Sequence, residues 1–250
     1  GDDVMRRLLA ALLVGLFVPA VPANTEGLKL QNANVDLSNR ASLQNGAKLF
    51  VNYCVSCHSA SFMRYNRIAA DLGIPEDKVK QNLMFTTDKI GDTMTVAMKP
   101  QDAEAWFGIA PPDLSVIERS RGADWLYSYL QGFYADDKQP TGVNNLYFPS
   151  TTMPHVLWEL QGVKRAVYHT VPDETGKEVQ AIEHLEEGVP GRLSAAEYKM
   201  ATRDLVNFLV YLGEPAKLVR YKIGMGVLLF LAVLLVATYL LKREYWKDIH

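Results

Sequence analysis

The apolar positions of the chain fall into two continuous runs, one near each end, with periodic stretches between them. The first run is Leu8 to Val18, preceded by Met5-Arg6-Arg7 and followed by Pro19-Ala20-Val21-Pro22-Ala23. A basic start, an apolar run and a small-residue exit match a secretory signal peptide over 1–23, cut after Ala23 or, as second choice, after Ala20. The run makes roughly 16 Å of helix, too short for a hydrocarbon core of about 30 Å. The competing reading is a retained N-terminus that touches the membrane. The second run is Ile223 to Leu241, which carries no charge. It makes about 28 Å of helix, enough to span. Lys217, Arg220 and Lys222 precede it, and Lys242, Arg243, Tyr245, Trp246 and Lys247 follow. Basic and aromatic flanks suit a membrane span, and a buried core helix would not be apolar all round. Since the basic residues tie across this span, its orientation follows from the signal peptide. The expected division is a signal peptide (1–23), an exported domain (24–217), a transmembrane anchor (218–241) and a cytoplasmic tail (242–250).

Within the exported part, the helical period appears three times. Residues 40–53 place Leu43, Ala47 and Phe50 on one face and lead to Cys54. Residues 124–134 turn Leu126, Tyr129, Leu130 and Phe133 inward. A third helix runs from Ala195 to Leu212, opened by the capping box Ser194/Glu197 and stopped by Gly213 and Pro215. Its apolar face is Tyr198, Ala201, Leu205, Phe208, Leu209 and Leu212. Between Lys138 and Thr152 lie three turn signals: Gln139-Pro140-Thr141-Gly142, Asn144-Asn145 and Phe148-Pro149. Strand content reads as low, with one hairpin of Val163–Val171 and Glu178–Ile182 around Asp173-Glu174-Thr175-Gly176. The class is mainly α, with long loops and a small hairpin. Such a domain often has something other than side chains filling its centre.

Charge sharpens the division. The 250 residues carry 26 Lys+Arg and 28 Asp+Glu, a net of −2. Residues 24–216 hold 18 against 24, and residues 217–250 hold 6 against 2. An acidic exported domain is thus summed with a basic anchor, a balance that gives no sign of nucleic-acid binding.

The two cysteines of the chain change the picture most. Both sit in Cys54-Val55-Ser56-Cys57-His58, the C-x-x-C-H pattern of covalent haem attachment. One helical turn separates i and i+3, so both sulfurs can reach the two vinyl groups of one porphyrin while His58 is directed at the iron. A thioredoxin-like site would need a βαβ surround, and a Cys54–Cys57 disulfide is the plainer alternative for an exported chain. An iron that only moves electrons takes six fixed ligands. Candidates for the sixth are Met63, Met84, Met94, Met98, Met153, Met200, His155, His169 and His184. Met63 is too near the motif to cross the ring. Met153 stands out because it follows a turn-rich loop and precedes a proline, and His155 is its closest rival. His169 and His184 read as solvated.

Several further motifs carry a resemblance. Gly46-Ala47-Lys48-Leu49-Phe50 before the haem motif, then Met63-Arg64-Tyr65, is similar to the cytochrome c1 family of bc1 complexes. So are Ala110-Pro111-Pro112-Asp113-Leu114-Ser115 with Arg119-Ser120-Arg121-Gly122, Tyr147-Phe148-Pro149 with Met153-Pro154, and Asp204 to Leu209 with Glu214-Pro215 before one anchor. The resemblance runs from about residue 28 to the end. It implies one haem c held by Cys54 and Cys57, with His58 and Met153 as iron ligands. It implies Arg121 on a haem propionate, Pro111 and Pro112 against the ring on the His58 side, and Ile117 and Phe148 packed on the haem. The prolines' carbonyls are then candidates for fixing the His58 imidazole N–H. Trp125 departs from the tyrosine often found there, and the segment from Phe148 to Met153 is shorter than in mitochondrial relatives.

The function implied is that of an electron-carrying subunit of quinol–cytochrome c reductase, with no acid or base of its own. The implied partners are cytochrome b, the Rieske iron–sulfur protein and a soluble c-type cytochrome, in a dimer of the whole complex. The implied location is a bacterial-type inner membrane with the haem domain on the periplasmic side. The alternatives are another membrane-anchored monohaem cytochrome c and a haem ligand sensor with an open sixth position. Residues 171–188 carry six acids against Lys177 alone. That segment is either a solvated loop or a surface that steers a basic partner.

Overall fold

A computed structural model describes residues 28–172 and 177–247. The expected signal peptide and the hairpin turn 173–176 lie outside the described residues. Among these, the helices are α1 (Arg40–Tyr53), α2 (Tyr65–Leu72), α3 (Glu76–Asn82), α4 (Pro100–Phe107), α5 (Ile117–Arg121), α6 (Ala123–Gln131), α7 (Trp158–Gln161), α8 (Ala195–Gly213) and α9 (Lys217–Tyr245). Six strands form three separate antiparallel pairs: β1 (Ala60–Arg64) with β2 (Thr93–Met94), β3 (Phe133–Ala135) with β4 (Val143–Asn145), and β5 (Gly162–Pro172) with β6 (Glu178–Pro190). The class is mainly α, as expected.

The core is organised by α1 packing on α8. Asn39 caps α1 by accepting from the Ser42 N–H, and Leu43, Ala47 and Phe50 are buried on the face the period assigned. Ser194 and Glu197 form the reciprocal capping box that opens α8. Of the face expected on α8, Tyr198, Leu205, Phe208, Leu209 and Leu212 are buried, and Ala201 is half-buried. Phe50 meets Phe208 with ring centroids 5.5 Å apart. Gly46 is where the two helices come closest: a Cβ there would collide with the Asp204 carbonyl and the Phe208 Cβ. A buried polar cluster locks the register. The Ser42 hydroxyl donates to Asp204, Asn207 Nδ2 donates to Ser42 Oγ (2.7 Å), and Asn207 Oδ1 accepts from the Asp36 N–H (3.1 Å). Satisfied buried polar groups of this kind specify one packing over its neighbours.

Three details differ from the sequence reading. The helix expected over 124–134 ends at Gln131, and Phe133 is buried from strand β3 instead. Asn144-Asn145 is not a turn but the end of β4. The Asn144 side chain accepts there from the N–H groups of Asn145 and Ser150, both at 2.8 Å. The hairpin's second strand runs on to Pro190, through register shifts at Val163/Lys164 and Val167/Tyr168. In that register Lys164 faces Glu187 and Arg165 faces Glu186, so part of the acidic segment is opposed by basic residues of β5.

α9 carries the apolar run as a single helix with its side chains exposed, long and apolar enough to cross a membrane. Its start is tied to the domain through Glu214. The Arg220 guanidinium lies 2.9 Å and that of Arg119 3.9 Å from its carboxylate, and Arg119 Nε donates to the Gly213 carbonyl (3.1 Å).

Candidate functional site

The centre of the domain holds a cavity of about 300 Å³. Elements far apart in sequence build it: the turn after α1, the loop before α5, helices α5 and α6, the loop after β4, and Leu205 and Leu209 of α8. All nine residues singled out from the sequence (Cys54, Cys57, His58, Pro111, Pro112, Ile117, Arg121, Phe148 and Met153) line this one cavity.

The cysteine turn is wound onto the end of α1. The Cys54 N–H still reaches the Phe50 carbonyl (2.8 Å), and the Cys54 carbonyl then accepts from the N–H groups of Cys57 (3.0 Å) and His58 (2.8 Å). That single turn brings both sulfurs and the imidazole to one side. The two thiols are not joined to each other. Burial, with Cys57 as neighbour, pushes the Cys54 thiol up to about 12, so it is protonated at neutral pH.

His58 is aimed from outside its own segment. Its Nδ1 donates to the Pro112 carbonyl at 2.8 Å. This fixes the tautomer and leaves Nε2 as the donor for a metal. The carbonyl is in place because the loop after Pro112 is stapled to β1. The Leu114 N–H donates to the Ser59 carbonyl (2.8 Å), the Ser61 N–H to Asp113 Oδ2 (3.0 Å), and the Phe62 N–H to Ser115 Oγ (3.1 Å). Burial works to raise the Asp113 carboxyl, but hydrogen bonds from Ser115 and Ser61 outweigh it and hold it below its usual value. Burial lowers His58, against the pull of the Pro112 bond and of Asp113, which favours the neutral imidazole a metal needs.

Met153 sits on the segment between β4 and α7, which has no regular structure, and its side chain faces the cavity beside Thr151, Thr152 and Pro154. Ser150 takes a left-handed φ of 61° on the way there, held by Asn144. The Tyr129 hydroxyl lies 3.4 Å from the Met153 sulfur. The other candidates are elsewhere. Met63, Met84 and Met94 are buried in the general core, Met98 is half-buried away from the cavity lining, and Met200 is exposed. His155 is buried and stacked on Phe133 (4.8 Å, 5°) and does not line the cavity. His169 and His184 are exposed.

Arg121 is the only formally charged side chain of the lining apart from the titratable His58 and thiols. It stands at the corner between α5 and α6, where Gly122 has φ 87°, a backbone angle that glycine adopts without strain. The guanidinium lies over two rings, 5.0 Å from the centroid of Trp125 and 5.6 Å from that of Phe148. Trp125 therefore fills its departed position as a platform for this cation. Tyr53, Phe107, Ile109, Tyr129 and Val156 also line the cavity and were not singled out. Only Tyr129 had a signal, its inward place on α6.

This donor set fits a haem: a fixed imidazole, a thioether, two sulfurs on one turn, one cation at the edge and otherwise almost entirely apolar walls. The comparisons agree. The model of the "Cytochrome C1 family" matches residues 31–249. A cytochrome c1 of Allochromatium vinosum is 49% identical over 98% of this chain and all of its own length. A protein of Nitrosomonas europaea named ammonia monooxygenase gamma subunit is 46% identical over 98% of this chain and all of its own. A cytochrome c1 of Rhodospirillum rubrum is 27% identical over 98% of both chains. Match and geometry together place this chain in the cytochrome c1 family, the haem c subunits of bc1 complexes.

Proposed function

We propose that the chain passes single electrons from a Rieske iron–sulfur protein to a soluble c-type cytochrome, as a subunit of quinol–cytochrome c reductase beside cytochrome b, in a complex that is itself a dimer. One observation supports the reading above the rest: both cysteines, His58 and Met153 line one cavity, with the His58 ring already oriented by Pro112. When bound, haem c supplies a one-electron iron couple.

The protein's own residues do the rest. Cys54 and Cys57 would hold the cofactor covalently, and His58 Nε2 and the Met153 sulfur would supply its two protein ligands to iron. Pro112 keeps His58 in one tautomer and orientation. Arg121 takes a propionate, its guanidinium held between Trp125 and Phe148. Pro111, Ile117 and Phe148 exclude water, which together with a thioether ligand raises the reduction potential. With His58 and Met153 both bound to it, the iron would keep no open position for a gaseous ligand, which is what distinguishes a carrier from a sensor. Residues 24–217 form the exported haem domain on the periplasmic side of a bacterial inner membrane, residues 218–241 the anchor and 242–250 the cytoplasmic tail, after removal of 1–23.

Purification of the native complex tests the reading. Companion subunits should include cytochrome b and a Rieske protein, and added quinol should reduce the haem of this chain. The name of the Nitrosomonas relative raises a second reading, membership of a monooxygenase complex. Monooxygenase subunits in place of cytochrome b and the Rieske protein would establish that reading. In the same preparation, Met153→Leu should lose the sulfur ligand and lower the potential. Parental spectra and potential in that variant would remove Met153 from the ligand set.

A further inference from the structure

Of the hydroxyls on the cavity wall, that of Tyr129 reaches the Met153 sulfur, and the reading above leaves it unused. Tyr129 projects from α6, and packing fixes its ring. The ring stacks on Trp125 (centroids 5.0 Å apart, planes 8° apart) and meets Phe133 edge-on (5.1 Å, 67°). Its backbone is held as well, since Asn145 Nδ2 donates to the Tyr129 carbonyl (2.8 Å). The hydroxyl reaches two points of the segment that carries Met153: Thr151 Oγ1 at 3.0 Å and the Met153 sulfur at 3.4 Å. A phenol has one proton. Both contacts are satisfied when the Thr151 hydroxyl donates to Tyr129 and Tyr129 donates to the sulfur. A donor chain of this kind strengthens its last link. A thioether sulfur has two lone pairs, so one can serve a metal while the other accepts the phenol proton.

We infer that Tyr129 is the positioning residue for the sulfur ligand, its hydroxyl holding the Met153 sulfur toward the cavity and drawing electron density from it. The inference rests on the reading of Met153 as a ligand. Two consequences separate it from simple packing. Methionine has three rotatable bonds, and its segment has no regular structure to hold it. A fixed donor therefore selects the rotamer that presents the sulfur, and its loss lets the sulfur leave more often. A sulfur that also accepts a hydrogen bond is a poorer electron donor, which favours the reduced iron. Loss of the hydroxyl therefore lowers the potential.

The test is Tyr129→Phe in the full-length, haem-loaded complex, which keeps the ring and removes only the hydroxyl. Three quantities are read: the reduction potential, the sulfur-to-iron charge-transfer band of the oxidised protein, and carbon monoxide binding to the reduced protein. The potential should fall, the band should weaken, and the carbon monoxide binding constant should rise roughly two- to tenfold, the equilibrium factor of one net hydrogen bond. Thr151→Val, which leaves the phenol and removes its donor, should shift all three less and in the same direction. A Tyr129→Phe protein with parental potential and carbon monoxide binding overturns the inference, whatever happens to its thermal midpoint. A parent protein without the charge-transfer band overturns the ligand reading itself, before any substitution is made.

Discussion

Gly46 is the position where the packing beneath the Cys54–His58 turn can be tested by a single methyl group. A Cβ there would stand 2.6 Å from the Phe208 Cβ and closer still to the Asp204 carbonyl oxygen, where ordinary contact begins at 3.4 Å. Helices α1 and α8 must therefore separate by more than about 1 Å at this point. The colliding atoms are backbone and Cβ, so no rotamer change relieves them. Overpacking of this kind costs about 3 kcal/mol, at the upper end of its usual range. Alanine in place of glycine inside a helix returns about 1 kcal/mol. Gly46→Ala should then destabilise the domain by about 2 kcal/mol, or roughly 4–8 °C in thermal midpoint for a domain of this size. Because Gly46 lies two turns before Cys54 on the same helix, the haem absorption bands should broaden as well. The assay is thermal melting of the detergent-solubilised haem protein, followed in the visible bands. A variant that melts higher than the parent would refute the reasoning, since it would mean that propensity decides and that the two helices do not touch there.

Two further predictions concern a buried histidine outside the cavity and the arginine on its wall. Burial holds His155 down to about 4, against an ordinary value of 6.5, so the fold keeps it neutral where the unfolded chain takes up a proton. Stability should therefore fall as pH drops from 6.5 toward 4, by up to about 3 kcal/mol. Urea unfolding across that window should show a flatter dependence for His155→Phe, and parallel curves would reject the assignment. Arg121→Leu removes the positive charge nearest the cavity and should lower the reduction potential by tens of millivolts, on the order of 1 kcal/mol per electron. Spectroelectrochemical titration reads this directly, and an unchanged potential would place Arg121 away from the propionates.

What the sequence made legible was local. The haem motif, α1 with its inward face, and α8 with its capping box each depend on residues a few positions apart, and each stands where the pattern put it. The bond that orients His58 spans 54 positions, so only the resemblance pointed to Pro112. Past Ile182 the second strand of the hairpin looks like a solvated loop, because Glu183, Glu186 and Glu187 break its apolar alternation. Cross-strand partners on β5, Lys164 and Arg165 among them, keep it paired as far as Pro190. Asn144 has the residue type of a turn, and its side chain does cap the Ser150 N–H, but its backbone belongs to β4. Tyr129 was legible as an inward ring. Its hydroxyl's two partners lie 22 and 24 positions away, across β3 and β4, and no spacing rule reaches them.

The central claim is that Cys54 and Cys57 carry a covalent haem. The intact mass of the chain, purified from its native membrane and extracted with acidified acetone to strip non-covalent haem, tests this most directly. The account predicts the mass of the processed chain plus one haem, falling to the bare chain mass in a Cys54→Ala/Cys57→Ala variant. A parent chain at its bare mass after extraction would contradict it.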